Sequence, residues 1–263
     1  KMSVRMFLNL YGLRRNLRLK PSEIERLQIK KLREIIWHAY SNVPFYHAKF
    51  RSAGIKPDDV KSLDDLRRFP LTTKFEVQSC DFRDVVSRGV DVESLIKRTT
   101  SGSTGIPLTV FADDGVDSFY AAVWLRAMLE VGLRVRDREA VIADPRGFPT
   151  KKSIFERLGI TRHRHISIFD SAEKQLALLK EFKPDVVNGY ASSLLILADE
   201  FGEAIKEVGA RLVFSGAEFL DEPARKLITS AFGAELFDFY ACREFGLLAW
   251  ECKEHYSYHI NTD

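Results

Sequence analysis

Between residues 139 and 242 the chain alternates short apolar runs with longer stretches of helical periodicity, and this alternation constrains the fold more than any other feature. EAVIAD, RHISIFD, PDVVNGY, RLVFSGAEF and AELFDFYAC read as strands. SIFERLG, AEKQLALLKEF, ASSLLILADEFGEAI and DEPARKLITSAFG read as the helices between them. A helix between each pair of strands is a crossover connection, which implies a largely parallel sheet with helices on its faces. Ligands of such sheets sit outside the carboxyl ends of the strands. The candidate positions are therefore residues 189–190, 215–218 and 240–244.

Upstream the pattern is helical. PSEIERLQIKKLREIIWHAYSN opens with Ser22 and Glu25 at capping-box spacing, carries Leu27, Leu32, Ile35, Ile36 and Ala39 at helical intervals, and stops near Asn42 and Pro44. A short helix is expected over 62–68, starting from Ser62 and Asp65. PLTVFADD reads as a strand after Pro107, and DSFYAAVWLRAMLEVGL as a helix closing on Gly132. The expected organisation is a helical segment over 1–97 packed on an α/β nucleotide-binding core over 98–263, together one large domain.

With forty Lys and Arg against thirty-seven Asp and Glu, spread evenly, the net charge of +3 argues against nucleic acid as the main partner. Cys80, Cys242 and Cys252 form neither an even framework nor a close pair, so a reducing, cytoplasmic setting is expected. No apolar run is long enough for a transmembrane segment. Residues 3–20 combine Phe7, Leu8 and Leu10 with Arg14, Arg15, Arg18 and Lys20. This reads as a helix packed on its own domain with its cations in water; a membrane-surface helix is the alternative.

The run TTSGSTG, residues 99–105, offers short hydroxyls and two glycines beside free backbone N–H groups, a combination that can wrap phosphate oxygens. It is not a Walker loop, because no Gly-Lys-Ser/Thr follows. A slack linker would have a similar composition. The run leads straight into Pro107 and a strand, however, inside what reads as one unit.

TTSGSTGIPL resembles the phosphate-binding signature of the adenylate-forming enzymes. YSNVPFYHAKFRSAGIKPDDVKSLDDLRRFPLTTKFEV, PDVVNGYASSLLILADE and VFSGAEFLDEPARKLITSAFGAELFDFYACREFG are similar, in that order, to its branch of phenylacetate-coenzyme A ligases, deazaflavin-coenzyme adenylating synthetases and capsule-biosynthesis relatives. The resemblance implies a large N-terminal domain of mixed, mostly parallel sheets flanked by helices. It implies ATP-dependent adenylation of an aromatic or other organic small-molecule carboxylate, with release of pyrophosphate and transfer to coenzyme A or another acceptor. By the same resemblance Thr100, Ser101, Gly102, Ser103, Thr104 and Gly105 would hold the β- and γ-phosphates of ATP. Gly216, Ala217 and Glu218 would face the adenine, Tyr240 would stack on it, and Glu244 would be the catalytic carboxylate that binds Mg²⁺.

The chain departs from the pattern in several places. Leu108 stands where many relatives carry Lys, Ala241 replaces Gly, and Arg243 replaces the Thr that contacts the α-phosphate. The family's Gly-Asp motif and the C-terminal lid with its catalytic Lys are absent from the sequence, which therefore reads as truncated and impaired in catalysis. A nucleotide- or acyl-binding module without the lid is the alternative function. Glu218 has an alternative reading too, as a first-turn residue of the next helix. Tyr190, Ser192 and Phe148 are acyl-pocket candidates. Cys252 and His259, with His255 between them, are ligand types suited to Zn²⁺, against the simpler reading of a buried thiol and a surface imidazole.

Overall fold

A computed structural model describes residues 4–100, 107–149 and 154–263. The chain divides into two compact units: one comprises Tyr11–Asp117 with Thr262–Asp263, the other Lys1–Leu10 with Ser118–Asn261. The boundary thus lies between residues 117 and 118 rather than 97 and 98. The intervening segment forms a hairpin that belongs with the helices.

The helical unit holds the C-terminal part of α1 (Val4–Asn16), then α2 (Pro21–Asn42), α3 (Pro44–Ser52), α4 (Lys74–Ser79) and α5 (Phe82–Val85). α2 starts two positions earlier than its Ser-x-x-Glu signal suggests. Pro21 takes the first helical position, where its missing N–H costs nothing, and Glu23 accepts a hydrogen bond from the Lys20 N–H (2.8 Å). The helix stops at Asn42 because Pro44 forces Val43 into an extended conformation. Ile36, Phe50, Ile55 and Val60 form the core of this unit, with Phe69 edge-on to Phe50. The short helix Leu63–Arg68 is a 3-10 turn, its start tied by the Ser62 N–H to Asp65 (2.8 Å). β1 (Ile96–Thr99) and β2 (Thr109–Ala112) then pair antiparallel. β1 was not expected: IKRT lacks an apolar run, and its half-buried inner face carries Ile96 and the cationic Arg98.

The chain leaves the hairpin through α6 (Asp114–Glu130). In the sheet unit β3 (Arg138–Ala143), α7 (Ile154–Arg157), β4 (Arg162–Ser167), α8 (Ala172–Phe182), β5 (Val186–Tyr190), α9 (Ala191–Phe201), β6 (Leu212–Gly216), α10 (Glu222–Phe232) and β7 (Glu235–Cys242) follow the expected alternation. β8 (Gly246–Glu251) and β9 (Tyr258–Ile260) extend it. The sheet runs β4-β3-β5-β6-β7-β8-β9, parallel as far as β7 and antiparallel from β7 to β9.

Alternate strand residues Ala140, Ile142, Ile166, Val187, Val213 and Leu236 face α8, α9 and α10 in one continuous core. α10 shows why these helices form. Ala224, Ile228, Ala231 and Phe232 recur at helical spacing and are buried, and each of the two larger side chains contributes roughly 1.5–3 kcal/mol. The Asp221 carboxylate accepts from the Ala224 N–H (2.8 Å), which adds about 1 kcal/mol, and Gly233 ends the helix in the left-handed conformation. On the opposite face Trp124 of α6 lies over Phe239.

Candidate functional site

Parallel register sets Tyr190 beside Gly216 and Gly216 beside Phe239, so the ends of β5 and β6 are level with Phe239 of β7, which continues to Cys242. The residues that follow, Ala191, Ala217 and Tyr240, emerge along one edge. Gly216 permits this: a Cβ there would lie 3.4 Å from the Phe239 carbonyl oxygen. Ala217 then adopts a left-handed backbone (φ 66°), a conformation that costs a non-glycine residue about 1 kcal/mol or more.

This turn delivers Glu218 to α9. Its carboxylate accepts a hydrogen bond from the Ser192 N–H (2.8 Å), and the N-cap residue Tyr190 supplies no side-chain cap of its own. Glu218 therefore serves the helix before it in sequence. The first-turn reading fails, since α10 begins at Glu222 behind its own cap, Asp221. Ser192 contributes its backbone to this contact.

β7 continues past a register irregularity at Tyr240 and Ala241, and Tyr240 stands 63% exposed. The turn to β8 is held by α6. The Tyr120 hydroxyl donates to the Glu244 carbonyl (2.8 Å), and Gly246 (φ 71°) lets the Tyr120 ring approach to where a Cβ would be 3.2 Å away. Glu244 is thus fixed through its main chain, while among the described residues its carboxylate is engaged by no hydrogen bond or ion pair. A half-exposed carboxylate without a partner suits a hard cation such as Mg²⁺.

At the end of β3, Asp144 adds a charge that the sequence reading did not single out. The Arg146 guanidinium binds it (Nε to both oxygens, 3.0 Å), and the Arg146 N–H donates as well (2.9 Å). Together they hold the Asp144 carboxyl down at about 2, and Arg243 from the β7–β8 turn adds a weaker attraction. The Asp-Pro pair that follows β3 is a turn signal that could have marked this position. Phe148 packs against the His165 ring of β4 (5.0 Å between centroids).

Behind the edge, Asp238 accepts from the Tyr258 hydroxyl (2.7 Å) and its carboxyl is pushed up by burial, against the pull of Tyr258 and Ser215. Buried Glu251 accepts from Arg225 (2.9 Å), the Asp238 N–H (2.8 Å) and the His255 ring (3.0 Å).

The zinc candidates are not gathered. His255 turns to Glu251 and Glu235, and His259 tilts over Trp250. The buried Cys252 thiol accepts from the Ser257 hydroxyl (3.6 Å), chiefly through which it is lowered to about 7. Among the described residues no group of three or more His, Cys, Asp and Glu is arranged to hold a metal ion. A Cys and a His alone fall short of a structural zinc set.

Of the candidate phosphate-binding run, Ser101, Gly102, Ser103, Thr104 and Gly105 lie outside the described residues. Its anchor is described: the Thr100 N–H donates to the Leu108 carbonyl and the Leu108 N–H to the Thr100 hydroxyl, each at 2.9 Å. The run therefore joins two paired strands and is not a linker between separate bodies. Thr100 belongs to the helical unit, while Gly216, Ala217, Glu218, Tyr240, Arg243 and Glu244 belong to the sheet unit.

These features define an α/β protein with a mixed sheet in which the ends of the parallel strands share one edge. No protein-family model matches the chain. It is 31% identical to the phenylacetate-coenzyme A ligase of Escherichia coli (strain K12) over 231 residues, 84% of this chain and 52% of that protein. It is 32% identical to the Pseudomonas putida phenylacetate-coenzyme A ligase over 227 residues, 82% of this chain and 50% of that one. An open conformation of 2-hydroxyisobutyryl-CoA ligase, in complex with 2-HIB-AMP and CoA, shares the fold with a TM-score of 0.73 at 20% identity, over 87% of this chain and 52% of that one. The chain is thus a homologue of phenylacetate-coenzyme A ligases and spans about half the length of the curated relatives it matches.

Proposed function

We propose that this chain supplies the nucleotide- and carboxylate-binding part of a ligase that activates an organic acid with ATP and passes the acyl group to coenzyme A. The observation that carries the reading is the shared edge of β5, β6 and β7, which sets Gly216, Ala217, Tyr240 and Glu244 at the place where sheets of this kind bind ligands. The kinship to phenylacetate-coenzyme A ligases supports it and favours an aromatic acid.

In the reaction a carboxylate oxygen attacks the α-phosphorus of ATP and the bond to pyrophosphate breaks, so two anions must be brought together. On this reading the residues from Thr100 to Gly105 cradle the β- and γ-phosphates. Tyr240 offers its exposed ring to the base beside the Gly216–Ala217 turn. Arg243 replaces a hydroxyl with a guanidinium at the α-phosphate, where two N–H donors can meet two oxygens. Mg²⁺ bound at Glu244 would neutralise part of the triphosphate charge. Tyr190 and Phe148 are the proposed walls of the acyl pocket.

Thermal unfolding with and without MgATP tests the reading. At about a hundred times the dissociation constant the ligand stabilises the protein by about 2.7 kcal/mol, a rise of roughly 5–11 °C for a chain of this size. Glu244→Ala and the double variant Ser103→Ala/Thr104→Ala should each abolish the rise. No rise at millimolar MgATP, or a rise that survives both variants, would overturn the assignment.

A further inference from the structure

The first helix presents an apolar face to solvent. Met6 and Leu13, 1% and 3% exposed, lie on one side of α1 and dock it. Val4, Leu8 and Tyr11 lie on the opposite side, 78%, 67% and 75% exposed, with spacings of four and three residues that place them in one narrow arc. Arg15, one more turn along, continues that arc and is exposed, as are Leu17, Arg18 and Lys20 just beyond the helix. The expectation of a helix packed on its own domain is met by one face only. Phe7 and Leu8 are exposed, and Leu10 is half-buried.

Charge identifies what covers the outer face. Residues 1–22 contain six basic residues, Lys1, Arg5, Arg14, Arg15, Arg18 and Lys20, and no acidic one. The whole chain has forty basic and thirty-seven acidic residues, so its net charge of +3 comes from this segment and the remainder is net negative. An apolar stripe with arginines in line with it and beyond it is the composition of a helix that lies in a bilayer interface. Such a helix inserts its apolar side chains among the acyl chains while the guanidinium groups reach the phosphates. A second copy of the same helix would instead bring like charges together.

We propose that α1 and the basic turn after it form a reversible attachment site for an anionic lipid surface. The rest of the chain is net negative, so the charge of this segment is what favours such a surface. One short helix of this kind gives binding that salt reverses.

The test is co-sedimentation of the full-length protein with phosphatidylcholine vesicles containing about one-third phosphatidylserine, against phosphatidylcholine alone, at low and high salt. Binding is expected to the anionic vesicles only, and to be lost at high salt. Arg15→Ala/Arg18→Ala should weaken it about thirty-fold. Leu8→Ser/Tyr11→Ser should weaken it with an unchanged melting temperature, because both side chains already face solvent. Absence of binding to anionic vesicles, or binding that both double variants retain, would overturn the proposal. So would a dimer in solution that Leu8→Ser/Tyr11→Ser dissociates, which would assign the stripe to a second copy.

Discussion

Two groups of carboxylates sit within a few residues of one another on β7 and β8, and they are treated in opposite ways. Glu251, 3% exposed, is saturated by a guanidinium, a backbone N–H and an imidazole. Glu244, at the turn between the same strands, has its main chain fixed by Tyr120 and its carboxylate left without a partner among the described residues. A buried charge without partners would cost several kcal/mol, so the saturated group belongs to the fold. An unengaged carboxylate on a rigid turn adds nothing to the fold and is available to a ligand. The contrast separates residues that hold the sheet from residues presented by it.

The strongest way to break this contrast is Glu251→Ala. It removes the acceptor for three donors at once and should cost about 3–5 kcal/mol in urea unfolding, whereas Glu244→Ala should change stability by no more than about 0.5 kcal/mol. Equal losses in the two variants would erase the distinction. Glu218 is the intermediate case, since it lies on the edge yet caps α9. Glu218→Ala should cost about 1 kcal/mol, and adenosine binding measured alongside will sharpen its assignment: unchanged affinity makes Glu218 a cap alone.

The smallest effect concerns His163, which Glu139 pairs within β3 and β4 (3.3 Å). The hydrogen bond to Glu139 holds the folded His163 above 6.5 despite its burial. Its contribution is therefore full below about pH 6.5 and disappears as pH rises through the folded value. His165 is pushed down by burial, with His163 adding to the effect, so it destabilises as pH falls below the same reference. NMR titration should find His163 titrating above His165, and Glu139→Gln should bring His163 down; an unmoved His163 would show that the pair is not coupled.

The parallel half of the sheet was legible in the sequence because β3, β5 and β6 are apolar runs buried along most of their length and because α8 and α10 carry their own periodicity and cap. Residues 172–182 and 222–232 are read almost to their ends. The antiparallel rim was harder. LLAWE after Gly246 is an apolar run that a strand reading could have used, but Tyr258–Ile260 is three exposed residues with no pattern to find. In the candidate site the edge itself was legible, since strand ends and turn residues coincide. What Glu218 does there was not, because its partner lies 26 residues away and the contact exists only once β5 and β6 are in register. The same holds for Tyr120, which reaches Glu244 across 124 residues.

The order of the strands also bears on how the protein behaves in concentrated solution. Sheets grow into aggregates through their outermost strands, where backbone donors and acceptors are still unpaired. At one border of this sheet stands β4, whose Arg162 and Arg164 would be brought near like charges by an antiparallel copy of itself. At the other stands β9, three residues long and too short to template much of a foreign strand. Both borders thus discourage growth by different means, repulsion on one side and brevity on the other.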